Sequence, residues 1–193
     1  MMIEREQAFN ALAEQITDEL VVTGIASQMA SWYKAKHRPE NLYLRGPMGL
    51  SLAVGLGVAL AHPERKVVVI EGDGSVLMGL TSLVAVAHCQ PKNLMIVCMD
   101  NGIYEEGGKG ATVNAGRTDF VKTVQGVGIM LARTASDLSG LREAIKECLT
   151  KAECSFLHVR IGPRVGPIHP TKLRPFEMKY QFLNALKGSN QSK

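Results

Sequence analysis

The 193-residue chain has no cysteine pair spaced for a shared metal: Cys89, Cys98, Cys148 and Cys154 stand singly, with no CxxC. That absence argues against iron–sulfur and zinc-ribbon designs and fits thiols kept reduced, so a cytoplasmic protein without disulfides is expected. Long apolar runs are missing too. The longest, LSLAVGLGVALA at 50–61, falls short of the roughly 20 residues that span a bilayer. The opening MMIEREQAFNAL lacks the apolar core of a signal peptide. Charge of one sign is scarce: 22 basic against 18 acidic residues leave +4, and apart from KAKHR at 34–38 the basic residues are scattered. Neither nucleic acid nor a membrane is an expected partner. With 46% apolar and 21% charged residues and no repeat or low-complexity tract, the composition is that of a folded globular protein.

One domain is expected at this length, since roughly 100–200 residues per domain is usual. We place it at 1–188, with 189–193 (the end of GSNQSK) as a frayed tail. Apolar runs at 19–25, 41–46, 66–70, 93–99, 129–134 and 155–161 read as strands. Between and around them, 3–16, 29–37, 50–61, 76–89, 119–127, 137–151 and 175–186 read as helices, the sixth with Ser136 as its N-cap. Leu138, Leu141, Ile145 and Leu149 mark that helix's apolar face. Strands of almost unbroken Val, Ile and Leu separated by helices imply an α/β fold: a three-layer, doubly wound, mainly parallel sheet of about six strands with helices on both faces. The segments 50–61 and 76–89 are apolar all round, which implies either a deep core position or a cover supplied by another subunit. Gly55, Gly57, Gly79, Ser82 and Ala85 would allow that subunit close approach.

Ligands of such sheets sit at the carboxyl ends of the strands beside a topological switch. The loops to inspect are therefore 23–28, 46–49, 72–75 and 100–110, the last opening a long stretch at 100–118 without periodicity. In VVVIEGDGSVLMGL at 67–80, Gly72 and Gly74 allow a sharp turn and close approach of a ligand. A helix beginning near Ser75 would point unpaired N–H groups at an oxyanion. Asp73 between them would repel a phosphate unless a divalent cation lay between, and magnesium, with its preference for oxygen ligands and substrate phosphates, suits that place. Asn101 follows 28 residues on, close to one strand-to-strand crossover, so the two side chains are expected at the same end of neighbouring strands. The turn beyond can add the main-chain carbonyl of Ile103. Taken singly, Asp73 fits a helix cap, and Asn101 a turn, equally well.

GDGS at 72–75 followed by DNGIY at 100–104 resembles the signature of thiamine-diphosphate enzymes, in which GDG is followed at this distance by an asparagine pair. Asp100 stands where the first asparagine would be, and Asn101 matches the metal ligand. GPMG at 46–49 is similar to the segment whose large apolar side chain bends the cofactor. There Met48 matches the propping side chain and the Gly46 carbonyl the acceptor for the pyrimidine amino group. TGIAS at 23–27, with Ala26 and Ser27, occupies the place of the first diphosphate-contacting loop. The resemblance thus implies thiamine diphosphate and Mg2+ as cofactors. Asp73, Asn101 and Ile103 would serve the metal; Gly46, Met48, Gly72, Gly74, Ser75, Ala26, Ser27 and Tyr104 would serve the cofactor.

The resemblance covers the diphosphate-binding domain alone. It implies a separate α subunit with the pyrimidine-binding domain and the activating glutamate, a role that Glu71 does not match. Through LYLRGPMGLSLAVGLGVALA, VVVIEGDGSVLMGLTSL and PKNLMIVCMDNGIY, the chain resembles the sulfopyruvate and phosphonopyruvate decarboxylase families. Decarboxylation of a small 2-oxo acid is therefore implied. The alternatives are the same domain in a carboligase or an oxo-acid oxidoreductase, or a cofactor-binding module without catalysis. Glu105 and Glu106 are expected to be solvated, with proton transfer or partner contact as the other reading. Lys109, Arg117 and Arg45 are expected as surface charge unless they meet a sulfonate or phosphonate. His88 and His158 are expected to be structural.

Overall fold

A computed structural model describes residues 2–112, 117–167 and 172–188. His169, Pro170 and the tail at 189–193 lie outside the described residues, as does part of the 100–118 stretch. The chain begins with α1 (Arg5–Gln15), β1 (Leu20–Thr23), α2 (Ser27–Ala35), β2 (Asn41–Tyr43) and α3 (Leu50–Ala61). The central part is β3 (Val67–Gly72), α4 (Asp73–Met78), α5 (Leu80–Cys89) and β4 (Leu94–Asp100). It continues through α6 (Phe120–Gly126), β5 (Leu131–Ala135), α7 (Leu138–Thr150), β6 (Ser155–Arg160) and α8 (Pro175–Gly188).

The strands form one sheet in the order β2-β1-β3-β4-β6-β5. Each pairing is parallel, so the expected mainly parallel sheet is wholly parallel among the described residues. Alternate residues of one strand feed two cores. Val68 and Ile70 of β3 meet Phe9, Leu12, Trp32 and Ile145 from α1, α2 and α7. Val67 and Val69 meet Leu52, Val76, Leu83 and Phe120 from α3 to α6 on the other face. That double burial is why the strands carry no polar alternation. The order places the switch between β1 and β3, where the chain leaves one half of the sheet for the other. Gly72 lies opposite Met99, so the residues that follow β3 emerge beside those that end β4.

The structure corrects several expectations. The helix expected at 76–89 is two: α4 starts at Asp73 rather than near Ser75, and α5 follows Gly79. The break has a packing cause, since a Cβ on Gly49 (φ +84°) would stand 2.8 Å from the Gly79 nitrogen. The GPMG turn and this helix pair touch backbone to backbone. Helix α7 is capped by Asp137, whose carboxylate accepts the Gly140 N–H at 2.9 Å, and not by Ser136. Its buried face is Leu141, Ala144, Ile145 and Cys148, with Leu138 and Leu149 only partly covered. Strands β1 and β2 stop earlier than expected, at Thr23 and Tyr43, whereas β3 runs on to Gly72.

The two apolar helices are not deep core helices of this chain. Each buries one stripe, Leu52, Gly55, Leu56 and Ala59 on α3 and Leu83 and Val86 on α5. Leu60 and Val84 are left 52% and 55% exposed. No helix among the described residues is long and apolar enough to cross a membrane.

Candidate cofactor site

A cavity of about 430 Å3 opens at the carboxyl ends of β1, β3 and β4. Its lining brings together Ala26 and Ser27 after β1, Met48 before α3, Gly72 through Ser75 at the β3–α4 turn, and Asn101, Ile103 and Tyr104 after β4. Gly46 is the one proposed site residue outside that lining. The lining also includes Gln28 and Glu71, which sequence reasoning did not assign to the site.

The β3–α4 turn is packed too closely for side chains. A Cβ on Gly74 would lie 2.3 Å from Tyr104 Cε1, and one on Gly72 would lie 2.9 Å from Gln28 Nε2. Gly74 is therefore glycine because the Tyr104 ring lies against it. Ser75 Oγ accepts the Gly49 N–H at 2.7 Å, tying the GPMG turn to α4. Ala26 is held at φ +55°, a left-handed conformation unusual for a residue with a Cβ, immediately before α2. Such strain concentrates at ligand-contacting turns.

Carboxylates dominate the cavity's electrostatics. Asp73 is 3% exposed, and its Oδ2 accepts the Thr112 hydroxyl at 2.7 Å. Burial pushes its pKa up to about 6; the Thr112 hydroxyl opposes the shift, and neighbouring Asp100 adds to it. Asp100 differs. Burial would raise it, but the His158 hydrogen bond and charge, with the Gly102 amide, outweigh burial and hold it below its ordinary value. His158 Nε2 lies 2.8 Å from Asp100 Oδ2, and its Nδ1 is 3.3 Å from the Thr134 hydroxyl. His158 is thus structural, as expected. Glu71, 1% exposed, has its pKa raised by burial; the Ser51 and Ser75 hydroxyls and the Gly72 and Ser51 amides pull it back. Ser51 Oγ donates to its carboxylate.

Asn101 Oδ1 accepts the Ile103 N–H at 3.0 Å, and Asp100 Oδ1 accepts the Gly102 N–H at 2.9 Å. These two turns explain how the chain reverses directly after β4 and presents Ile103 to the cavity. The turn-shaping reading of Asn101 is therefore realised, and its carbonyl oxygen keeps a second lone pair. The expectation for Glu105 needs correction. It is not solvated: its side chain is 7% exposed and paired with Arg5 at 2.7 Å. Glu106, Lys109 and Arg117 are exposed.

The donor set fits magnesium and a diphosphate. Asp73, Asn101 and the Ile103 main chain offer hard oxygens only. Among the described residues no cluster of three His, Cys, Asp or Glu could hold a metal unaided. Mg2+ suits such a site because it takes few protein ligands and completes its shell with phosphate oxygens and water. A cation beside Asp73 would also offset the burial that raises its pKa. Gln28 lines the same wall, and its Oε1 is buried without a hydrogen-bond partner among the described residues.

The model of the family "Thiamine pyrophosphate enzyme, C-terminal TPP binding domain" matches residues 23–159. The chain belongs to this family. It is 33% identical to sulfopyruvate decarboxylase subunit beta of Methanocaldococcus jannaschii, over 89% of this chain and 90% of that one. It is also 33% identical to phosphonopyruvate decarboxylase of Streptomyces viridochromogenes, over 89% of this chain but 43% of that longer one. Among solved structures, benzoylformate decarboxylase from Polynucleobacter necessarius matches with a TM-score of 0.72 at 19% identity, over 84% of this chain and 34% of that one. That likeness concerns the fold. The chain is thus a homologue of decarboxylase β subunits at nearly full length, and corresponds to less than half of the longer phosphonopyruvate enzyme.

Proposed function

We propose that this chain is the diphosphate-binding β subunit of a two-chain, thiamine-diphosphate- and Mg2+-dependent 2-oxo-acid decarboxylase. Its substrate would bear a sulfonate or phosphonate, as sulfopyruvate does. The observation that carries this reading is the near end-to-end match to a named β subunit, combined with a cavity that collects Asp73, Asn101 and Ile103 at adjoining strand ends. Asp73, Asn101 and the Ile103 carbonyl would hold magnesium. Gly72, Gly74 and Ser75, with Ala26 and Ser27 opposite, would contact the diphosphate. Met48 and Tyr104 would shape the cofactor's resting place, and the Gly46 carbonyl, outside the cavity's lining, would serve its pyrimidine amino group. When bound, thiamine diphosphate supplies the sink for the electron pair released as carbon dioxide leaves.

A separate α subunit carries the pyrimidine-binding domain and the activating glutamate. Support for it lies on α3 and α5, where Leu60 and Val84 stay exposed on helices of mainly apolar sequence. Reconstitution tests the whole reading. Carbon dioxide release from sulfopyruvate is expected only when the chain is mixed with the α subunit, with Mg2+ and thiamine diphosphate present. Turnover by the chain alone, or carboligation in place of aldehyde release, would overturn it.

A further inference from the structure

The loop from Asn101 to Thr112 folds back on itself, with the Tyr104 N–H on the Gly110 carbonyl at 2.8 Å and the Thr112 N–H on the Gly102 carbonyl at 2.9 Å. It brings Ile103 and the Tyr104 ring, packed against Gly74, to the cavity, and sets the Thr112 hydroxyl on Asp73. Its tip is exposed, and Lys109 there holds φ +61°. Something must keep so glycine-rich a loop in register with the β3–α4 turn.

Two remote segments meet it. Ile3 pairs with the end of β6, its N–H on the Arg160 carbonyl and its carbonyl on the Gly162 N–H, each at 2.9 Å. This pairing delivers Arg5 from one side and Arg164 from the other to Glu105. Glu105 Oε1 accepts Arg5 Nη2 at 2.7 Å and the Arg164 main-chain N–H at 2.7 Å. The Arg5 and Glu105 side chains are 8% and 7% exposed. Arg5 Nε and Nη1 are buried with no hydrogen-bond partner among the described residues. An ion pair this incompletely satisfied is a poor way to gain stability, because desolvation consumes most of the Coulombic gain. Its return is orientation. Arg5 and Arg164 both lie outside the residues 23–159 that match the family model, whereas Glu105 lies inside them.

We propose that Glu105 is a positioning residue, its carboxylate clamped by Arg5 and Arg164 so that the loop holds Ile103, Tyr104 and Thr112 against the cofactor cavity. The clamp rests on the proposed function only in taking that cavity for the cofactor's. Glu105, which lines the cavity, therefore serves as an anchor of the loop.

Limited trypsin digestion of the full chain tests the clamp without any cofactor. In the isosteric Glu105→Gln, cleavage after Lys109 should accelerate about tenfold, the scale of one lost charge-assisted hydrogen bond, while cleavage after Lys122 stays unchanged. With the α subunit present, the Mg2+ concentration that half-saturates thiamine-diphosphate binding should rise about tenfold, and kcat at saturating Mg2+ should stay within about twofold. Arg5→Lys should fall between, and Arg164→Ala should do least because the main-chain N–H remains. Wild-type Lys109 cleavage and Mg2+ requirement in Glu105→Gln would overturn the proposal, as would cleavage rising equally at Lys109 and Lys122. A loop released in Glu105→Gln, in a chain whose wild type binds no thiamine diphosphate, would uphold the clamp and sink the cofactor reading.

Discussion

The two walls of the cavity are built by different means. The β3–α4 wall is local: strand, two glycines and helix follow one another, and the parallel register sets Gly72 beside Met99 without help from distant side chains. The wall made by 101–112 depends on remote partners, Arg5 a hundred positions away and Arg164 beyond β6. One wall is backbone geometry that a single added methyl group disrupts. The other is a side-chain arrangement that can be loosened by degrees.

The largest effect should come from the local wall. Asp73→Ala removes the single carboxylate assigned to magnesium, and Mg2+-dependent thiamine-diphosphate affinity, measured by calorimetry on the assembled enzyme, should fall by about 100-fold or more. Gly74→Ala should come next. Its Cβ, 2.3 Å from Tyr104 Cε1, must displace the ring, costing about 30-fold in affinity. Because that clash joins the two walls, Gly74→Ala combined with Tyr104→Ala should bind within about threefold of Tyr104→Ala alone. Additive losses would separate them.

A pH effect of middling size follows from Asp73. Its folded-state pKa, raised to about 6 by burial, means the metal-free chain holds this proton more tightly than the unfolded chain does. The resulting contribution to stability is fully present below the ordinary carboxylate range and is lost as pH rises through about 6. Magnesium takes the ionised carboxylate, so its affinity should be flat above about 6 and fall about tenfold per pH unit below it. The smallest change belongs to the remote wall: Thr112→Val removes the hydroxyl that restrains Asp73, and should weaken magnesium about threefold and move the pH midpoint upward. A midpoint moving downward would contradict the assignment.

What the sequence revealed divides along the same line. The apolar runs of the central strands, the GDGS turn and the Asp73–Asn101 spacing were legible because each depends on neighbours along the chain or on one crossover. The split at Gly79 was not, since an isolated glycine in an apolar pattern reads as a tolerated helix residue. Here the approach of Gly49 decides. Nor was the Thr112–Asp73 bond legible, since it joins positions 39 apart across a loop with no periodicity. Glu105 read as a solvated loop glutamate because its cationic partners lie near opposite ends of the chain. Glu71, next to last in β3 after three valines and an isoleucine, did carry a signal: a residue in that position is buried, so its carboxylate needed partners from Ser51 and Gly72.

The central claim is that Asp73 and Asn101 together hold a divalent cation for the diphosphate. Electron paramagnetic resonance of Mn2+, titrated into the assembled enzyme with thiamine diphosphate, measures it most directly. Wild type should sequester one Mn2+ per β subunit with coenzyme present, and Asp73→Asn combined with Asn101→Ala should leave the ion free at the same concentrations. Sequestration undiminished in that double variant would contradict the account.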